Sequence, residues 1–501
     1  MTQILETANR IVWGAPALIM ILGVGIYLSI TTKWAQIRLF PLAIRTFFQK
    51  MCRQNCENGI SPMQALCTAL AATVGTGNIA GVAGAIALGG PGAIFWMWIC
   101  AILGMVTKFA EATLAVHLRI RKNGEYFGGP MYMIIGALPK KWHFLASIYA
   151  FFGIFAAFGV GNATQINAVI TGINDAIRSF GGSPSMAVNL MMGIALAIVI
   201  TLVLLGGAKR IGRTAEVLVP FASVAYLALC IFVLVARFQA IPQAISMIFQ
   251  GAFSPEAVSG GMLGSFFSAM RIGVSRGVFT NEAGMGTASM AHASAEVKHP
   301  CQQGLMGIME VFLDTIVICT MTALVILVSG TVIPYGVDTG ATLTITAFEA
   351  VCGDWVSVLI AACLCCFAFA TVLGWGLYGM RCAGFLFGEG SSTKFALLQA
   401  ITVVLSAMLN TSTIWLLCDT VNGLMAIPNL IALVLLADQL KHLTIDYKSG
   451  GNYESIHQCK SLPAFSHEKV PSPGCQGQGG RQENLSLKHR PAGPGYPPGL
   501  L

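Results

Sequence analysis

The stretch Ala72-Thr73-Val74-Gly75-Thr76-Gly77-Asn78-Ile79-Ala80-Gly81 places hydroxyl, amide and glycine residues in the middle of an apolar run long enough to cross a bilayer. Glycine lowers helix stability by about 1 kcal/mol relative to alanine, so the run predicts a helix that breaks. Unwound backbone offers N–H groups to an anion and carbonyls to a cation. Within a membrane it persists only where protein surrounds it or where it lines a cavity. A second stretch has the same character: Met270-Arg271-Ile272-Gly273-Val274-Ser275-Arg276-Gly277-Val278-Phe279-Thr280-Asn281-Glu282-Ala283-Gly284-Met285-Gly286-Thr287. Two such breaks side by side suit a small zwitterion, with its carboxylate at the amides from Gly75 to Gly77 and its ammonium at carbonyls around Phe279. Close packing of membrane helices explains the glycines alone. It does not explain Thr73, Thr76, Asn78, Thr280 and Asn281 gathered beside them.

The elements that must hold these breaks follow from composition. Of 501 residues 55% are apolar and 10% charged, against roughly 25% charged in soluble domains, which predicts an all-α polytopic membrane protein. Eleven apolar stretches approach the roughly 20 residues needed to span: an opening span at 11–30, then spans 1 to 10 at 63–88, 92–117, 143–171, 187–205, 214–236, 261–290, 304–330, 353–378, 393–410 and 415–438. The opening span lacks a short apolar core followed by a small-residue cleavage site, and reads as a retained helix. Lys33, Arg38, Arg45, Lys50 and Arg53 follow it; Arg119, Arg121, Lys122, Lys140 and Lys141 follow span 2; Lys209, Arg210 and Arg213 follow span 4. Alternate loops are nearly free of Lys and Arg, so the positive-inside rule puts the amino terminus outside and the carboxyl terminus in the cytoplasm. The net charge of +8 is thus a topology signal, not a nucleic-acid surface.

With the opening span set aside, spans 1–5 (63–236) and 6–10 (261–438) form two sets of five, and the peculiarity of span 1 recurs in span 6. Because five is odd, the second set lies inverted relative to the first, which brings the two breaks together near the midplane. Residues 1–445 make up this transmembrane domain. Residues 446–501, rich in Gly, Pro, Ser, Gln and Lys, read as a disordered cytoplasmic tail.

Ionisable residues inside spans are functional candidates by default. Lys108 and Glu111 sit at i, i+3 in span 2, and Glu310 and Asp314 at i, i+4 in span 7. Structural pairing or an inner gate is one role for them, and a proton relay the other. Arg276 and Glu282 flank the second break as gate charges. Cys363-x-Cys365-Cys366 has no His or second Cys pair at ligand spacing, and reads as packing. No nucleophile–base pair or metal-ligand set implies an enzyme, and no repeated polar ring implies a channel.

Gly89-Gly90-Pro91-Gly92-Ala93-Ile94-Phe95-Trp96-Met97-Trp98-Ile99-Cys100-Ala101-Ile102-Leu103-Gly104 resembles the defining motif of the sodium:alanine (alanine or glycine:cation) symporter family, and Thr280-Asn281-Glu282-Ala283-Gly284-Met285-Gly286 is similar to that family's helix 6 segment. The resemblance runs from about residue 5 to 445 and implies a LeuT-type fold with an extra first helix. It implies that Gly75, Thr76 and Gly77 hold a substrate carboxylate, and that Gln165 forms a polar wall of the pocket. Thr371-Val372-Leu373-Gly374-Trp375-Gly376 would complete the site. Sodium would lie between the carbonyls of Ala71 and Val74 and the hydroxyl of Thr371, since neutral oxygens suit a hard monovalent cation.

Each of these residues has a duller role as well. Trp375, at i+4 from Thr371, either restricts side-chain size or simply packs, and Gln165 is either pocket wall or inter-helix glue. Asn78 either binds an ion or caps the second half of its helix. The implied activity is import of a small neutral amino acid, alanine or glycine, with sodium as coupling ion and no cofactor, in the plasma (inner) membrane. The rivals are a glutamine-preferring or proton-coupled member of the same fold.

Overall fold

Span 1 begins at a capping box. Ser61 accepts from the Gln64 amide and the Gln64 side chain accepts from the Ser61 amide, both at 3.1 Å, with Pro62 opening the helix. These bonds use two of the amides that a helix start leaves without intrahelical partners. The helix that follows, α2 (Pro62–Thr73), stops as the sequence predicts. A single 3-10 turn, Thr76–Asn78, separates it from α3 (Ala80–Gly89), and the two halves are bent by 58°. The computed structural model describes residues 12–51, 59–122, 124–179, 181–254, 266–337, 340–388, 390–408 and 412–450, with Thr7 and Asn9.

Around this broken helix the apolar stretches form a helical bundle. The opening span is α1 (Ala15–Thr31) and span 2 is α4 (Ala93–His117). Span 3 is α5 (Phe144–Phe158) continued through a π-helical segment, Gly159–Ala163, into α6 (Thr164–Ser179). Spans 4 and 5 are α7 (Met186–Leu204) and α8 (Gly207–Ala236). Span 6 is α9 (Phe266–Asn281) and, after a second break, α10 (Thr287–His292). Span 7 is α11 (Pro300–Val311), a π-helical segment Phe312–Cys319, and α12 (Thr320–Val328). Spans 8, 9 and 10 are α13 (Val356–Phe387), α14 (Ser391–Met408) and α15 (Ser412–Leu435). Among the described residues seven helices are by themselves long and apolar enough to cross a bilayer, and nine when each bent pair counts as one span. Val217, Phe221 and Val224 on α8 and Ile198 and Leu202 on α7 are exposed, an apolar girdle that marks the lipid-facing side.

The structure revises three boundaries. Phe279 lies inside α9, and the second break falls after it, at 282–286. There Glu282, Gly284 and Gly286 have φ of 52°, 95° and 77°, and the left-handed backbone explains the two glycines. Spans 3 and 7, read as plain helices, each carry a π segment, a rare element concentrated at functional sites. The tail does not begin at 446, because α15 bends by 60° into α16 (Ala437–Ser449), which crosses that boundary. Residues 451–501 lie outside the described residues. A short β-hairpin, β1 (Ile120–Lys122) and β2 (Glu125–Phe127), pairs antiparallel after α4. Its Tyr126 and Phe127 rings carry the guanidinium groups of Arg119 and Arg381 at 3.7 and 3.9 Å.

Candidate functional site

At the first break the hydrogen-bond ladder is rerouted. The Gly75 amide, which in a continuous helix would bond the Ala71 carbonyl, donates to Asn78 Oδ1 at 2.9 Å. The Asn78 amide, due to the Val74 carbonyl, turns to the Gly75 carbonyl at 3.3 Å. Ala71 and Val74 therefore lose their i+4 donors. Against this turn stands Thr371 of α13, whose hydroxyl donates to the Phe367 carbonyl at 3.0 Å. A methyl added to Gly75 would lie 2.6 Å from Thr371 Oγ1. The Thr371 hydroxyl thus stands beside Gly75, the residue that follows Val74 at the turn where the carbonyls of Ala71 and Val74 lose their helical donors.

The same turn meets span 3 and span 6. Thr76 Oγ1 donates to Gln165 Oε1 at 3.1 Å, and Gln165 Nε2 donates to the Val160 carbonyl at 3.2 Å. Val160 belongs to the π segment, so that bulge is what aims Gln165 at span 1. A methyl on Gly77 would stand 3.1 Å from the Thr280 side chain and 3.5 Å from the Phe279 ring, so the two broken spans touch as expected. Because Asn78 occupies the Gly75 amide, the N–H groups left for an anion are those of Thr76 and Gly77, which open the 3-10 turn where no intrahelical partner exists. Asn78 acts as a brace: its amide N–H groups reach Asp314 Oδ1 at 2.7 Å and the Asp314 carbonyl at 3.2 Å.

At the second break the amides of Ala283 and Gly284 would close helical bonds to the carbonyls of Phe279 and Thr280. They donate instead to Asn281 Oδ1 and Glu111 Oε1, both at 3.0 Å. Glu111 Oε1 also accepts from the Gly286 amide at 3.0 Å and from Asn429 at 2.7 Å. Glu111 is therefore not paired with Lys108; it holds the second break in place. Lys108 pairs across helices with Glu310 at 3.0 Å. Glu310 in turn bonds His292 at 2.8 Å, and His292 bonds Gln303 at 2.7 Å. Nor do Glu310 and Asp314 form a pair, since Asp314 binds Asn78 and Thr315.

Glu282 accepts from the Trp375 indole N–H at 2.8 Å and from the Thr287 hydroxyl at 2.6 Å. With both oxygens engaged, it does not form a gate pair with Arg276, which stays half-buried on α9. The Trp375 side chain packs on span 3, where a methyl on Gly161 would come within 2.2 Å of its Cβ.

Composition and charge did not single out His292, Gln303, Thr315 and Asn429. Asn429, beside Pro428 in an apolar span, was a readable signal, since an amide in lipid needs a partner. The partners of His292 and Gln303 exist only in the folded chain.

The polar ties follow a pattern. Asn78–Asp314, Lys108–Glu310, Glu111 with Gly284 and Gly286, and Asn281–Thr315 (3.2 Å) all join spans 1, 2, 6 and 7 to one another. Toward spans 3 and 8 the side chains around the breaks offer Thr76–Gln165 and Glu282–Trp375. Two broken helices meeting in a predominantly helical membrane chain, with freed carbonyls in a turn that abuts a hydroxyl, define the broken-helix class of secondary transporters.

Comparison with known proteins agrees. The profile described as "Sodium:alanine symporter family" matches residues 1–459, and the chain belongs to that family. It is 43% identical over 443 residues to the "Sodium/alanine symporter AgcS" of Methanococcus maripaludis, covering 87% of this chain and 94% of that protein. It is 37% identical over 463 residues to the "Probable sodium/glutamine symporter GlnT" of Bacillus subtilis, covering 90% and 93%. Among solved structures, MhsT in complex with L-phenylalanine superposes with a TM-score of 0.57 at 14% identity, covering 78% of this chain and 99% of that one. That likeness shows a LeuT-type fold, as expected.

Proposed function

We propose that this protein imports a small neutral amino acid, alanine or glycine, together with sodium. The observation that carries the reading is the loss of the i+4 donors of Ala71 and Val74 at a turn that abuts the Thr371 hydroxyl. These are uncharged oxygens of the kind a sodium ion takes. Next to them the Thr76 and Gly77 amides receive the substrate carboxylate, and the carbonyl end of α9 around Phe279 receives its ammonium. Gln165 and Thr76 form the polar wall. Trp375, held by Glu282 and seated on Gly161, bounds the space from α13.

Ion and substrate share one turn of backbone, so ordering that turn by sodium favours the carboxylate, and the coupling is reciprocal. Spans 1, 2, 6 and 7, tied together by buried polar bonds, rock as one body against the rest. The bonds Thr76–Gln165 and Glu282–Trp375 cross that boundary and open in the cycle. Lys108, Glu310 and His292 hold the moving body together. The amino terminus lies outside, the carboxyl terminus in the cytoplasm, and the membrane is the plasma (inner) membrane.

The test is uptake of labelled alanine, glycine and glutamine by liposomes holding the purified chain, under sodium, potassium or proton gradients of equal size. Saturable uphill uptake of alanine or glycine with sodium alone supports the proposal. Glutamine in preference, as the likeness to GlnT allows, or proton-driven uptake refutes the substrate or the ion.

A further inference from the structure

A groove unrelated to the transport site lies where α1 ends and α16 passes. It has a volume of about 410 Å³ and is lined by Thr31, Thr32, Lys33, Arg38, Lys441, Thr444, Ile445, Lys448 and Ser449. Four of these side chains are cationic and none is acidic. Among the described residues no carboxylate forms an ion pair with Lys33, Arg38, Lys441 or Lys448. Asp446, on the same helix, is turned to His299 at 3.4 Å, and Asp438 does not line the groove.

We infer that this groove binds the headgroup of an anionic phospholipid. Backbone geometry builds the site: Lys33 and Trp34 both adopt left-handed φ, 56° and 57°, an unfavourable conformation for non-glycine residues that turns the chain sharply out of α1. That turn sets Lys33 and Arg38 opposite the stripe of Lys441, Ile445 and Lys448, which share one face of α16 at i, i+4 and i+7. Along the chain, exposed Ile26 and Ile30 precede the groove's Thr31 on α1, exposed Trp34 and Ile37 adjoin its Lys33 and Arg38, and exposed Leu435 ends α15 just before α16. Apolar girdle, interfacial Trp and basic residues in that order mark a membrane–water boundary, and basic pockets between membrane helices take phospholipid headgroups. The chain's own tail is a poor occupant: from 451 to 501 it carries five Lys and Arg against three Glu, so it would add positive charge to a positive groove.

The test uses the full chain purified in detergent and native mass spectrometry. The probes are phosphatidylglycerol and phosphatidylcholine of matched acyl chains. Preferential retention of phosphatidylglycerol is expected, falling about five-fold for each charge removed, since a basic residue near an anionic surface contributes on the order of 1 kcal/mol. Lys441→Gln/Lys448→Gln and Lys33→Gln/Arg38→Gln should each show the loss. Lys140→Gln/Lys141→Gln, elsewhere on the surface, should not. Should a double variant unfold, Lys448→Gln alone, in the last turn of α16, carries the test. Free inorganic phosphate or glycerol phosphate at millimolar concentration should fail to displace the lipid. Equal retention of both lipids, retention unchanged by the variants, or displacement by either soluble anion would overturn the assignment. No arm depends on transport, so failure here leaves the symport reading standing.

Discussion

Gly75→Ala isolates the cation side of the proposed mechanism. The backbone at Gly75 has φ −143° and ψ −150°, so an L residue meets no left-handed strain there. The added methyl would lie 2.6 Å from Thr371 Oγ1, well inside contact distance. Either the hydroxyl retreats or the turn shifts, and the overpacking costs about 1–3 kcal/mol. If Thr371 Oγ1 coordinates sodium, that cost falls on the bound state, and half-saturating sodium rises about 5-fold to 150-fold. The assay is alanine uptake in proteoliposomes over a sodium titration, with thermal unfolding as a control for folding. Thr371→Ala raises the sodium requirement by a different route, loss of the ligand itself. Because both changes act on one oxygen, Gly75→Ala/Thr371→Ala should shift half-saturating sodium by less than the product of the single effects. An unchanged sodium requirement in Gly75→Ala, or strictly multiplicative effects in the double variant, would refute the assignment.

Three further outcomes follow from the described contacts. Lys108→Met leaves Glu310 buried without its cation and should lower stability by about 3–5 kcal/mol, read as a fall in melting temperature; adding Glu310→Gln should recover part of it. Trp375→Phe removes the donor to Glu282 Oε1 and should cost about 1–3 kcal/mol, with a smaller effect in a Glu282→Gln background. His299 caps α11 by accepting the Cys301 amide on Nδ1 at 3.1 Å, and burial holds its pKa below the ordinary value despite the opposing pull of Asp446. The unfolded chain therefore takes up the proton first, so stability is lost as pH falls from about 6.5 through the lowered folded value and is retained above it. His299→Asn, which can still cap but does not titrate, should flatten the melting temperature between pH 7 and pH 5.

Much of this protein is legible in its residue order. Glycines and hydroxyls within apolar runs announce both broken helices, because the cost of glycine in a helix and the cost of bare backbone in lipid are local properties. Span positions follow from hydropathy for the same reason, and Thr76, Gln165 and Thr371 stand out as polar groups in apolar surroundings. Partnership is a different matter. Spacing along one helix sets Lys108 beside Glu111 and Glu310 beside Asp314, yet in the fold Lys108 reaches Glu310, Glu111 reaches the amides of Gly284 and Gly286, and Asp314 reaches Asn78. A buried charge seeks the partner that compensates its desolvation best, and that partner comes from whichever helix packs alongside. The π segment that aims Gln165, the occupation of the Gly75 amide by Asn78 and the seat of Trp375 on Gly161 likewise depend on which helices come together, a relation that appears only once the chain is folded.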